Sequence, residues 1–225
     1  MNYAYAAGGG TNTTIGRIDY ADDTATSLEK GNLISSPYYS SPAGVDNKDY
    51  GYFCGGLPHS IVQRIDYTND TTTASPKGPL SANRRYISAA GNQSYGYVSG
   101  GTPPDMSSVD RIDYSNDSVT ASTKGNLPYT VYGHGMTGNA DYGYVNGGFN
   151  AVPGSNNWIS SVNRIDYAND TATAAPKGPL SQARRNKSTG STSYGWSGGG
   201  STNGHAGTST IAVSYTHLTL PTTNS

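Results

Sequence analysis

The chain alternates in short stretches and carries no helical stripe. Between Val109 and Tyr114, the residues Asp110, Ile112 and Tyr114 fall on one side while Val109, Arg111 and Asp113 fall on the other, the period-two pattern of a strand. Comparable segments recur along the chain, bounded by glycine, proline or Asn-Asp pairs, and no window shows the 3.6-residue spacing of an amphipathic helix. One stretch predicts four strands, Arg85 to Ala90, Tyr95 to Ser99, Val109 to Tyr114 and Ser118 to Ser122, with turns at Gly91 to Ser94 and Ser115 to Asp117.

These strands belong to a repeat. Arg-Ile-Asp-Tyr begins at Arg17, Arg64, Arg111 and Arg164, at spacings of 47, 47 and 53 residues. An aromatic-small-aromatic marker followed by a glycine pair begins at Tyr3, Tyr50, Tyr95, Tyr142 and Tyr194. From each such Arg to the Lys of the next Lys-Gly is always 13 positions, as in 17 to 30 and 164 to 177, so this segment reads as rigid scaffold. Between the glycine pair and the next Arg lie 6, 7, 9 and 15 residues in successive units, so that segment reads as a loop with little geometric constraint.

A four-stranded antiparallel unit with a period of roughly 50 residues matches one blade of a β-propeller. The residues resemble kelch repeats: an aromatic strand closing in Gly-Gly, a loop of variable length, a strand ending in Tyr, and Leu followed by Arg at Leu80 to Arg85 and Leu180 to Arg185. The resemblance covers about residues 3 to 200. Kelch blades carry a Trp on the fourth strand where this chain has Ala74, Ala121 and Ala174. A looser resemblance is to kelch-like repeats of marine phage virion and tail proteins. The expected fold is all-β, a kelch-like propeller of four-stranded antiparallel blades that is incomplete. Repeats occupy 1–212, with a partial fifth unit at 184–212. Residues 213–225 share nothing with the repeat and resemble adapter-derived read-through, so the chain is expected to be a fragment whose open blade edges allow homo-association.

Charge and composition then exclude several classes. The 225 residues include 14 Lys and Arg against 15 Asp and Glu, a net charge of -1, so no polybasic surface exists to hold nucleic acid or an anionic membrane. No apolar run approaches the length of a membrane span, and no signal peptide is readable in the opening residues, which leaves the localisation open between a virion or extracellular surface and the cell interior. The single cysteine, Cys54, excludes a disulfide framework within the chain.

No catalytic residue, metal ligand or cofactor is expected. The Asn-Asp-Thr and Asn-Asp-Ser segments at Asn69, Asn116 and Asn169 match a glycosylation sequon, yet the first unit has Asp22-Asp23-Thr24 in the same place, so turn geometry explains them better. The Arg and Asp of each Arg-Ile-Asp-Tyr recur in every unit and are expected to pair structurally across strands or blades. The variable loops and the connections into each blade share one face, and there the ligand-binding residues are expected: Trp158, Asn156, Asn157, His59, Asp105, Arg84, Arg85, Arg184 and Arg185. A loop Trp among amides suits stacking on a sugar ring, with packing against its own blade as the alternative. The resemblance thus implies a non-enzymatic binding or structural module, in a phage tail or surface adhesin, that recognises a glycan or protein surface. A second reading is an intracellular kelch-type interaction scaffold. The third is a galactose-oxidase-like copper enzyme, for which Cys54, His59, His134 and His205 lack any informative spacing.

Overall fold

A computed structural model describes residues 3–7, 12–34, 41–56, 59–152, 155–202 and 211–215. The chain is all-β, 46% strand and 3% helical. Its first sheet holds β1 (Tyr3–Ala7), β2 (Thr14–Asp19) and β3 (Leu28–Asn32). The second runs β4 (Ala43–Asp46), β5 (Tyr50–Cys54), β6 (Val62–Asp66) and β7 (Ser75–Lys77), and the third β8 (Ser88–Gly91), β9 (Tyr95–Ser99), β10 (Val109–Asp113) and β11 (Ser122–Thr123). In the fourth, β12 (Gly135–Gly138) and β13 (Tyr142–Asn146) are followed by a hairpin of β14 (Phe149–Val152) and β15 (Ser155–Trp158), and then by β16 (Val162–Asp166) and β17 (Ala175–Lys177). A last sheet holds β18 (Lys187–Gly190), β19 (Tyr194–Gly198) and β20 (Ile211–Tyr215). Every pairing is antiparallel between sequence neighbours, except that β13 reaches β16 across the inserted hairpin.

Three expected boundaries move. The strand expected from Arg85 starts at Ser88, and Arg85 itself makes only an isolated pairing with Thr102. The fourth strand expected over Ser118 to Ser122 shrinks to Ser122–Thr123, because Tyr114–Asn116 winds into a single 3₁₀ turn capped by Asp113, whose carboxylate accepts from the Ser115 N–H at 2.9 Å. Ile211–Tyr215 resembles Arg-Ile-Asp-Tyr poorly, yet takes its place beside β19: Tyr194 faces Tyr215 as Tyr142 faces Asp166. Residues 216–225 of the expected non-repeat tail lie outside the described residues.

The sheets pack side by side through their first strands, β4 against β8, β8 against β12, and β12 against β18. Cores therefore form between sequence units. One cluster joins Tyr52, Cys54, Val62 and Leu80 to Ile87, Val98, Ile112 and Ala121, and the next joins Tyr97, Val109 and Leu127 to Met136, Val145, Ile165 and Ala174. Strands of this kind are covered on both faces, and the burial of Val109, Asp110 and Ile112 overrides the alternation visible in the sequence.

One polar joint recurs between consecutive units. Asp70, in the turn between β6 and β7, reaches back to the first unit, accepting from Arg17 at 2.8 Å and from the Tyr5 hydroxyl at 3.0 Å, with the Lys30 ammonium at 3.5 Å. Asp117 does the same for Arg64, Tyr52 and Lys77 at 2.8, 2.9 and 3.2 Å, and Asp170 for Arg111, Tyr97 and Lys124 at 2.7, 3.0 and 3.5 Å. Burial and the neighbouring Asp70 push the Tyr5 hydroxyl up to about 12. Backbone completes the joint, since the Gly31, Gly78 and Gly125 N–H groups donate to the carbonyls of Asp70, Asp117 and Asp170 at 2.8, 2.8 and 2.7 Å. A Cβ at those glycines would lie 1.8, 1.8 and 2.0 Å from a carbonyl oxygen of the next unit, which is why the residue after each Lys is glycine. The rings of Tyr67, Tyr114 and Tyr167 stack on Tyr5, Tyr52 and Tyr97 with centroids 4.8, 4.8 and 4.4 Å apart.

The arginine of Arg-Ile-Asp-Tyr thus pairs across units, as expected, but with the turn aspartate of the following unit. The aspartate of the same tetrapeptide serves its own turn: Asp66 accepts from the Thr68 N–H and hydroxyl, and Asp19 from the Ala21 N–H. Ala74, Ala121 and Ala174 are buried at these joints, and their N–H groups donate to the carbonyls of Asn32, Pro79 and Asn126 in the preceding unit.

Candidate functional site

The connections leading into β4, β8, β12 and β18 converge. A cleft of about 150 Å³ is lined by Ser41, Tyr86, Gly133, Arg185, Asn186, Lys187 and Gly200, residues from the second to the fifth unit. Ser41, Tyr86 and Gly133 each lie two residues before a first strand and share left-handed backbone, with φ of 38°, 54° and 62°. A tyrosine in that region is unusual, and the conformation aims the connection of the third unit at that of the fourth, where the Gly133 N–H donates to the Tyr86 carbonyl at 2.8 Å.

The rim is aromatic. The glycine pair Gly147-Gly148 turns the chain out of β13 with φ of 63° and 99°, and the longest variable loop then folds as the β14–β15 hairpin. Phe149 faces Trp158 across this hairpin, the two rings edge to face with centroids 5.0 Å apart. Backbone hydrogen bonds in both directions tie Phe149 to Tyr132, whose ring lies 5.2 Å from Phe149 and 6.1 Å from Tyr86. Two guanidinium groups cover Tyr86, those of Arg85 and Arg185, each 5.0 Å from its centroid, and Arg185 also lies 5.9 Å from the Trp158 ring. Trp158, Tyr132, Tyr86 and Phe149 are all half-buried, leaving part of each ring open to solvent.

Electrostatically the cleft is positive. Partial burial, and the Arg185 charge beside it, hold the Lys187 ammonium below its ordinary value although the residue as a whole stays exposed. Asp105 is exposed on the loop after β9, close enough that its charge adds to burial in raising the Tyr132 hydroxyl. The arrangement can stack a flat or ring-shaped group on aromatic faces and hold a negative charge between Arg185 and Lys187.

The expected site residues divide between this cleft and the scaffold. Trp158, Arg85 and Arg185 meet around Tyr86, and Asn157 is exposed on the hairpin facing Asn150. The Asn156 side chain lies outside the described residues. His59 closes its own short loop through its N–H to the Gly56 carbonyl at 2.6 Å. Arg84 and Arg184 correct the expectation: they are 0% and 1% exposed and belong to the scaffold. Arg84 is ion-paired with the fully buried Asp110 and donates to the carbonyls of Gly100 and Ser108, so its charge is spent inside the protein. Tyr86, Tyr132 and Lys187 were not anticipated, and Phe149 belongs to the expected loop without having been singled out in it. The signal for Tyr86 was present in the run Arg84-Arg85-Tyr86, but its left-handed backbone is a tertiary property.

Of the residues considered for copper, Cys54 is buried and its thiol is pushed up to about 12 by that burial, while burial and then the Lys187 and Arg84 charges lower His134 to about 3. His134 instead exchanges a hydrogen bond with the Ser99 hydroxyl at 2.9 Å. Among the described residues no group of three or more His, Cys, Asp or Glu side chains is placed to hold a metal ion, and His205 lies outside them. Compared with protein-family models and with curated proteins, the sequence matches none.

Proposed function

We propose that the units are blades of a kelch-like β-propeller and that the chain is a non-enzymatic binding or structural module, of the kind found in a phage tail or surface adhesin, reading a glycan or protein surface through its loop face. The observation that carries this reading is the half-exposed aromatic rim over the Arg185 and Lys187 cleft, to which the one loop that differs most between units contributes Phe149 and Trp158. Scaffold positions repeat because every joint needs them, whereas a ligand-reading surface is free to differ. The positive cleft favours an acidic sugar or another carboxylate-bearing group over a neutral one.

A glycan array tests this. Uronate-bearing or sulfated glycans should be retained over neutral ones, and Trp158→Ala should weaken that binding by about 1–3 kcal/mol, the range of an aromatic anchor, with the melting temperature nearly unchanged. A large melting loss without any glycan retention would mean that Trp158 only plugs its own hairpin.

A further inference from the structure

The cationic cleft has one anionic neighbour. In the segments that run from each glycine pair to the strand of the next Arg-Ile-Asp-Tyr, Asp105 is the only acidic residue outside the strands themselves. The repeat does not require it, since the other units do without an acid there. Its place is nevertheless fixed by backbone. Thr102 exchanges hydrogen bonds in both directions with Arg85, at 3.0 and 3.1 Å, and the Met106 N–H donates to the Gly101 carbonyl at 2.9 Å. Between these anchors only Pro103, Pro104 and Asp105 remain, all exposed, and the proline rings restrict the φ of two of the three.

The same anchor sets Asp105 beside the rim. The Met106 carbonyl accepts from the Val131 N–H at 3.1 Å, while the next residue, Tyr132, is bonded in both directions to Phe149 of the hairpin. Tyr132 therefore stands between the Asp105 loop and the loop that carries Trp158. Its hydroxyl is raised by burial and then by Asp105, and lowered by Arg185, so both charges are felt at one ring. Among the described residues neither Asp105 nor Arg85, Arg185 or Lys187 enters an ion pair. Unlike charges are thus held apart around a half-exposed aromatic surface, each by its own backbone supports.

We infer that the cleft takes a zwitterionic glycan segment, in which a sugar carboxylate lies between Arg185 and Lys187 and the free ammonium of an adjacent, unacetylated amino sugar lies against Asp105; this rests on the loop-face reading above. A purely anionic segment would gain from the two cations but be repelled by Asp105, whereas a segment with an ammonium beside its carboxylate gains at both ends. Because the carboxylate of Asp105 is held in place before the ligand arrives, little ordering is needed to use it.

Titration calorimetry with a matched pair of sugars tests this. The probes are a hyaluronan tetrasaccharide, with uronate and N-acetylated amino sugar alternating, and the same tetrasaccharide after de-N-acetylation, at a mildly acidic pH where its amines are charged. The unaltered chain should bind the de-N-acetylated form about threefold to tenfold more tightly. Asp105→Asn should abolish that preference and bind the N-acetylated form at least as tightly as the unaltered chain does, because a repulsion has been removed, and Asp105→Glu should restore part of the preference. Trp158→Ala should weaken both forms alike. Equal binding of the two forms by the unaltered chain, or tighter binding of the N-acetylated one, overturns the inference and leaves the loop-face reading standing. A preference that survives in Asp105→Asn also overturns it, since the ammonium is then read elsewhere. Failure to bind either form, with other glycans still held through Trp158, overturns the zwitterionic ligand alone; failure to bind any glycan overturns both readings.

Discussion

The fourth unit presents to its neighbour the same arginine and lysine-glycine as the first three, yet among the described residues only the first three are completed. Arg17, Arg64 and Arg111 each meet a turn aspartate 53 or 59 residues further on, and Arg164 meets none among the described residues. Gly31, Gly78 and Gly125 press on the next unit's backbone, and no described residue lies within 4 Å of where a Gly178 Cβ would sit. Identical residues therefore act differently depending on the unit packed against them. The repeat supplies half-joints, and a polar joint is completed where an Asp-bearing turn arrives from the next unit. Each unit contributes one half to the joint before it and the other half to the joint after it, so the cores and the ion pairs alike lie between units.

The comparison predicts paired substitutions with unequal outcomes. Asp117→Ala would leave Arg64 and Lys77 partly buried without their carboxylate and Tyr52 without its acceptor. The expected loss is about 3 kcal/mol, between the values for exposed and fully buried pairs, measured by urea denaturation. The corresponding change in the exposed turn of the first unit, Asp23→Ala, should fall within about 0.5 kcal/mol of the unaltered chain at concentrations where it is monomeric. Equal losses at the two positions would show that Asp23 already has a partner. A smaller contrast is expected at the glycines. Gly125→Ala forces a methyl against the Ala172 carbonyl and should cost about 1–3 kcal/mol by overpacking, whereas Gly178→Ala should be neutral or slightly stabilising.

Strands and turns were legible in the sequence because they are local. The strand over Val109 to Asp113, the glycine pairs and the Asn-Asp turns all appear where expected, and the fixed distance from Arg to Lys marks a segment that does act as scaffold. The joint was only half legible. Arg64 and Asp66 are adjacent in register on one strand and invite pairing, but Asp66 is taken by the Thr68 N–H and hydroxyl of its own turn, and the carboxylate that Arg64 needs is Asp117. No local rule connects residues 53 positions apart, although the strict recurrence of Asp at that turn was its trace. The recurring alanines have the same origin, since Ala74, Ala121 and Ala174 sit where the preceding unit closes over them.

The candidate site divided along the same line. Trp158 stood out because it lies in the loop that grows from unit to unit, and the hairpin does place it at the cleft beside Arg185. Arg84 looked equivalent to Arg85 in sequence, but neighbouring residues on an extended connection point opposite ways, and Arg84 points inward to Asp110. That partner was hidden by its variability, for Asp110 stands where the adjacent units have Gln63 and Asn163. Tyr86 and Lys187 enter the cleft only because connections from four units converge, which no single unit encodes.

Amide hydrogen exchange of four glycines tests the central claim most directly. At a concentration where the chain is monomeric, the Gly31, Gly78 and Gly125 N–H groups should be strongly protected, because each donates to an aspartate carbonyl of the next unit, while Gly178 should exchange at close to the rate of an open amide. Protection of Gly178 equal to that of the other three, or rapid exchange at Gly78 and Gly125, would contradict the account of three completed joints and a fourth with no mate among the described residues.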